Sequence, residues 1–125
     1  MSGINFFLDT NAFIYFFEGQ NKITQLILQA PQLFYSPISE IELLSSAKLS
    51  ETESQQIRQF LKMCHRIELS QDIIDTAIEL RKAHRLKTPD AIVAASALNS
   101  SLTLLTADSD FAYISNLILE ADILD

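Results

Sequence analysis

The sequence predicts an α/β fold, with a mostly parallel sheet covered by helices on both faces. Two observations lead there. Five short apolar runs read as buried strands, and amphipathic helical patterns lie between them. Strands that alternate with helices pair in parallel, because each crossover returns the chain to the same edge of the sheet.

The elements follow in order. INFFL (4–8) is the first strand run, and Ile23, Leu26, Ile27 and Ala30 then recur at helical spacing. QLFYS (32–36) is the second strand run, followed by a helical stripe of Ile57, Phe60, Leu61 and Cys64. RIEL (66–69) is the third. Two helical patterns come next, Ile73, Ala77 and Ile78, then Ile92, Ala95 and Leu98. LTLLT (102–106) and NLILE (116–120) close the series. In folds of this kind, ligands bind at the carboxyl ends of the strands, near a topological switch point.

A chain of 125 residues is one domain on length, over residues 1–125, and 48% apolar residues are enough for a core. There is no linker, repeat or composition break. The single cysteine, Cys64, excludes an internal disulfide and makes a reducing, cytoplasmic setting the expectation. No apolar run reaches the roughly 18 residues that suggest a membrane span. The apolar N-terminal stretch has no basic residue before it, and Asp9 and Asn11 interrupt it, so it does not read as a signal peptide. A formal charge of -7 is the wrong sign for holding nucleic acid by bulk electrostatics. It leaves room for metal ions, a local basic patch or a basic protein partner.

Only two glycines, Gly3 and Gly19, are present, which removes the dinucleotide fingerprint and the P-loop. Neither CxxC, HExxH nor GxSxG occurs. The chemistry must rest on carboxylates and hydroxyls. Asp9, Glu42, Asp90 and Asp108 each stand where a strand or loop passes into a helix, and Asp110 follows two residues on.

Each acid has a structural explanation. Ser39-x-x-Glu42 matches a capping box, Thr88-Pro89-Asp90 matches a cap with a first-turn proline, and Asp9 and Asp108 match plain N-caps. Together they face one edge of a parallel sheet. Two carboxylates about 5 Å apart repel by roughly 3 kcal/mol at an effective dielectric near 20. A converging set must take up protons or bind a cation, and hard oxygen donors suit Mg²⁺ or Mn²⁺.

The words around these acids are more specific than their spacing. LDTNAFI, ISEIELL, TPDAIVAASAL and LLTADSDF, in this order, resemble the PIN domain family and, within it, the small VapC-type toxins. The resemblance runs from about residue 5 to residue 112. It implies a three-layer α/β/α fold with about five strands and Mg²⁺- or Mn²⁺-dependent cleavage of RNA, with tRNA or rRNA as substrate. By position it assigns metal binding and catalysis to Asp9, Glu42, Asp90 and Asp108, with Asp110 as an additional acid. It gives Thr10, Asn11 and Thr106 a supporting role. A toxin of this kind implies a homodimer and a small antitoxin with a basic segment near the acids. PIN domains in RNA processing, or as non-catalytic scaffolds, share the same words.

The segment RKAHRLK (81–87) holds four of the nine lysines and arginines, Arg81, Lys82, Arg85 and Lys87. It reads either as a phosphate-steering patch or as cations complementing a helix dipole. His65 and His84 lack partners. Cys64 falls in register with a core stripe, Ser36, Ser39, Ser45 and Ser46 lack a nucleophile context, and Tyr15, Phe16 and Phe17 read as helix packing. A receiver domain needs paired acids after the first strand and a lysine at the end of the last, and this chain has neither. A haloacid-dehalogenase-like phosphatase needs an acid where Asn11 stands.

Overall fold

Burial decides the architecture strand by strand. In a computed structural model, which describes residues 3–125, Phe6, Phe7 and Leu8 are all buried. Successive side chains of a strand point to opposite faces. Phe6 and Leu8 therefore join one core, with Phe13, Ile23, Ile27, Ile57 and Leu61, while Phe7 joins the other, with Ile73, Ala77, Val93 and Ala94. β4 repeats the division, with Leu104 beneath the second core and Leu105 in the first. The result is three layers, α/β/α.

The strands are β1 (Phe6–Leu8), β2 (Leu33–Tyr35), β3 (His65–Arg66), β4 (Thr103–Leu105) and β5 (Leu119–Glu120). They form one sheet in the order β3-β2-β1-β4-β5, parallel throughout. The helices are α1 (Thr10–Phe17), α2 (Asn21–Gln29), α3 (Pro37–Leu44), α4 (Glu51–Lys62), α5 (Gln71–Ala83) and α6 (Thr88–Asn99). The chain builds outward from β1 to β3 and then crosses back to lay β4 on the other side. The switch point therefore lies between β1 and β4.

Local chemistry explains the helix boundaries. Ser50 and Glu53 form a capping box at α4, Ser70 caps α5, and Gly19 takes a positive φ of 82° in the turn after α1. Two expected caps are corrected. Ser39 does not cap α3. Ser36 does, accepting from the Ile38 amide with Pro37 in the first turn, and Ser39 is a fully buried residue inside the helix. Thr88 does not cap α6 either. Lys87 stands at that position, Thr88 is already helical, and no side chain bonds the free amides.

Two further details differ from the sequence reading. The third strand is His65–Arg66 rather than RIEL, an exposed edge pair without the apolar signature of a buried strand. Ile78 points outward and is 47% exposed, and Leu80 takes the buried place in the α5 stripe. Phe16 and Phe17 pack against Phe60, as the packing reading expects. Cys64 is half-buried and its thiol is pushed up to about 11 by burial, so it is not a thiolate at neutral pH. Among the described residues, no helix is long and apolar enough to cross a membrane.

Candidate active site

The end of β1 delivers Asp9 to the switch point, where its backbone amide donates to the Leu105 carbonyl of β4 (3.1 Å). Asp9 is 7% exposed. Its Oδ1 caps α1 by accepting from the Thr10 amide (2.8 Å). Its Oδ2 accepts from the Thr106 hydroxyl (2.8 Å) and from Asn11 Nδ2 (3.2 Å). Asn11 Nδ2 also reaches Thr106 Oγ1 (3.1 Å), while its Oδ1 accepts from the Ala107 amide (3.0 Å). Thr106 Oγ1 in turn accepts from the Asp108 amide (3.0 Å). The β1 and β4 ends are thus sewn together by side chains 95 and 97 positions apart, and Asp9 is fixed in direction.

The other acids arrive from separate elements. Glu42, exposed on α3, accepts from the Thr10 hydroxyl (2.5 Å), and the same hydroxyl lies 2.9 Å from Ser39 Oγ. Glu42 therefore reaches across to α1 rather than back to its own helix start. Asp90 is half-buried in the first turn of α6. Among the described residues its carboxylate accepts no hydrogen bond. Asp108 caps the 3₁₀ turn Ser109–Tyr113 by accepting from the Asp110 amide (2.9 Å), and Asp110 is exposed.

Electrostatics shows which of these groups share a space. Burial raises Asp9 from its ordinary 3.8 to about 6, with Asp90 and Asp108 adding to the rise and the Thr106 and Thr10 bonds opposing it. Asp90 is raised by burial and then by Asp108, Glu42 and Asp110, with Lys87 opposing. All five acids thus belong to one negative neighbourhood. Of the basic segment, Lys87 acts on it, Arg81 instead holds the Leu86 carbonyl (3.1 Å), and Lys82 faces Glu79.

Among the described residues, no three carboxylate, histidine or thiol groups stand close enough to hold one ion between them. The donors still suit a hard divalent cation, which commonly takes one or two carboxylates and completes its shell with water and phosphate oxygens. Asp9 and Asp90 are held where negative charge is disfavoured, first by burial and then by the neighbouring acids. Ser39 is the supporting residue that the sequence reading assigned elsewhere. Its burial inside a helix beside Thr10 has no local sequence signal.

The fold and site together define an α/β domain with a five-stranded parallel sheet and carboxylates gathered at its switch point. The PIN domain family model matches residues 6–117, and the chain belongs to that family. Its structure is similar to a chain of a toxin–antitoxin complex from Klebsiella pneumoniae, at 35% identity and a TM-score of 0.79, over 90% of this chain and 94% of that one. It is also similar to chains of VapBC2 from Rickettsia felis bound to a promoter DNA fragment (23% identity, TM-score 0.78, 94% and 98% covered) and of VapBC-1 from nontypeable Haemophilus influenzae (24%, 0.76, 94% and 97%). The last two establish likeness of fold. No curated protein matches the chain.

Proposed function

We propose that this chain is a metal-dependent endoribonuclease, one PIN domain over its length, and the toxin of a type II toxin–antitoxin pair. One observation carries the reading. Asp9 is oriented by three donors and raised to about 6 chiefly by burial, with the neighbouring Asp90 and Asp108 adding to the rise. A helix cap needs one carboxylate, and several converging ones work against stability.

In this reading Asp9 and Asp90 bind Mg²⁺ or Mn²⁺ directly, Glu42 and Asp108 complete the donor set, and Asp110 adds a carboxylate at its rim. The bound ion lowers the pKa of a water and offsets charge on the phosphodiester. Thr106 and Asn11 keep Asp9 Oδ2 in one direction, and the Thr10 amide does the same for Oδ1. Thr10 also ties Glu42 to the site. Lys87, which acts on Asp90, steers the substrate, tRNA or rRNA, towards a negative centre.

The antitoxin partner has a matching groove of about 420 Å³ beginning at Glu42. Ile14, Phe17, Leu43 and Ile57 line it, and Glu18 and Glu53 stand at its rim. An amphipathic segment with a basic arm suits that lining. The 35% identical neighbour from a toxin–antitoxin complex supports this assignment, and a homodimer in the cytoplasm completes the proposal.

The test is cleavage of total tRNA and ribosomal RNA fragments by the wild type and by Asp9→Asn, each with Mg²⁺, with Mn²⁺ and with EDTA. The reading expects cutting by the wild type with either metal only. Equal cutting in EDTA, or by Asp9→Asn, removes it.

A further inference from the structure

A second charged feature lies on the same edge of the sheet, on the far side of β2 from the acids. A groove of about 230 Å³ opens between α4 and the ends of β2 and β3, lined by Tyr35, Glu40, Arg58, Leu61, Lys62 and Arg66. The chain has nine lysines and arginines against sixteen acids, yet three of the nine meet here. Arg58 and Lys62 are exposed one turn apart on α4, where like charges repel. Among the described residues neither has an ion-pair partner. Arg66 is held in place by Glu40 (3.0 Å) and Glu68 (2.6 Å), with further N–H donors to spare.

Tyr35 is the second observation. It is 5% exposed and packs edge-on against Phe13, yet its hydroxyl bonds nothing among the described residues. No sealed polar side-chain atom is left unpaired there either, so this hydroxyl opens into the groove that Tyr35 lines. Burial and the nearby Glu40 carboxylate raise its pKa, so at neutral pH it is a donor. Two unpaired cations and a fixed phenol donor recognise a phosphate.

We infer that this groove is a backbone-phosphate subsite for the RNA strand, with Arg58 and Lys62 supplying charge and the Tyr35 hydroxyl donating to a phosphate oxygen. The inference rests on the ribonuclease reading above. Register places the subsite beside the acids. Arg66 pairs with Tyr35, Tyr35 with Leu8 and Leu8 with Leu105, in one row across the sheet, and Asp9 follows Leu8. At about 4.8 Å per strand, Arg66 lies about 10 Å from Leu8. Helix α3 stands between the two, with Glu42 turned to Thr10 and Glu40 turned to Arg66. A polyanion whose scissile phosphate sits among acids must be gripped next to them, and this groove is in reach. Its volume is below the roughly 300 Å³ of a drug-sized pocket, which suits a single anionic group rather than a folded segment.

The test is fluorescence anisotropy with a labelled 12-nucleotide single-stranded RNA in EDTA, over a series of salt concentrations. The variants are Arg58→Ala/Lys62→Ala, Tyr35→Phe and, as an equal charge change elsewhere, Lys22→Ala/Lys48→Ala. The groove double substitution is expected to weaken binding about 10-fold or more. It should also flatten the log–log salt slope by about 1.4, at about 0.7 per lost contact. Tyr35→Phe is expected to weaken binding a few-fold with the slope kept, and circular dichroism confirms that each variant folds. Unchanged RNA binding by the groove double substitution, in a protein whose wild type binds and cuts RNA, overturns the subsite and leaves the ribonuclease standing. A greater loss of binding to a 12-residue glutamate-rich peptide than to RNA overturns it in favour of a protein partner. A folded wild type that neither binds nor cuts RNA with Mg²⁺ or Mn²⁺ overturns both.

Discussion

Asp9 and Asp90 carry the same functional group to the same place by opposite means. The β1–α1 junction wraps Asp9 in hydrogen bonds from Thr10, Asn11 and Thr106 and leaves it 7% exposed. The start of α6 gives Asp90 no hydrogen bond among the described residues and leaves it half-buried in the first turn. Asp9 is therefore oriented by the protein, whereas Asp90 is positioned by its helix and free to turn. Both lose some of their acidity, Asp9 chiefly by burial and Asp90 by burial and then by three neighbouring carboxylates. A site made this way combines one fixed carboxylate with one adaptable one.

The comparison breaks most visibly in cleavage. Both Asp9→Asn and Asp90→Asn are expected to reduce RNA cleavage by more than about 100-fold, beyond the 10- to 100-fold typical of losing a supporting residue around a metal. Single-turnover rates check this. A variant of either that cuts at the wild-type rate removes that acid from the chemistry.

Stability against pH separates the two acids. Without metal, folded Asp9 keeps its proton up to about pH 6, whereas an unfolded chain releases it near 3.8. Between those values the folded state binds more protons, so stability falls as pH rises through this window. The gap corresponds to a penalty of about 3 kcal/mol at neutral pH. Urea titrations at pH 4 and pH 7 in EDTA are expected to show this fall in the wild type and to lose most of it in Asp9→Asn. Asp90→Asn should keep the larger part. An identical pH slope in Asp9→Asn would falsify the assignment of the proton to Asp9.

Thr106→Val tests orientation alone. It removes the hydroxyl that donates to Asp9 and accepts from the Asp108 amide, at a cost of about 1–3 kcal/mol in stability for the groups left unpaired. Cleavage is expected to fall 10- to 100-fold with the metal midpoint shifted upward. The smallest effect belongs to Lys87→Gln, which removes the cation opposing the rise in the Asp90 pKa. Carboxyl NMR titration should move the Asp90 midpoint further up while leaving Asp9 in place.

How much of this could be read beforehand follows from where the physics is local. INFFL, LFYS and LTLLT declare themselves because strands buried on both faces are apolar throughout. His65–Arg66 does not, because an exposed edge strand has no such requirement. The acids were legible as a set through the words around them, but their relations were not. Ser39 looks like a capping residue, although Ser36 beside Pro37 carries the better signal. Only the packing of α3 on α1 turns Ser39 and Glu42 towards Thr10. Tyr35, Arg58 and Arg66 come from three elements and share no sequence pattern at all.

The strand order has a consequence for how the chain is made. β1 is synthesised first but lies in the middle of the sheet, and its β4 neighbour begins 97 residues later. At about 5–20 residues per second, the ribosome takes roughly 5–20 s to cover that distance. Throughout that interval Asp9 has no Thr106 to orient it, and Phe6–Leu8 present an apolar edge with only β2 for company. The site therefore assembles only after β4 has been made, and until then the nascent chain carries a sticky segment that must be kept from pairing with the wrong strand.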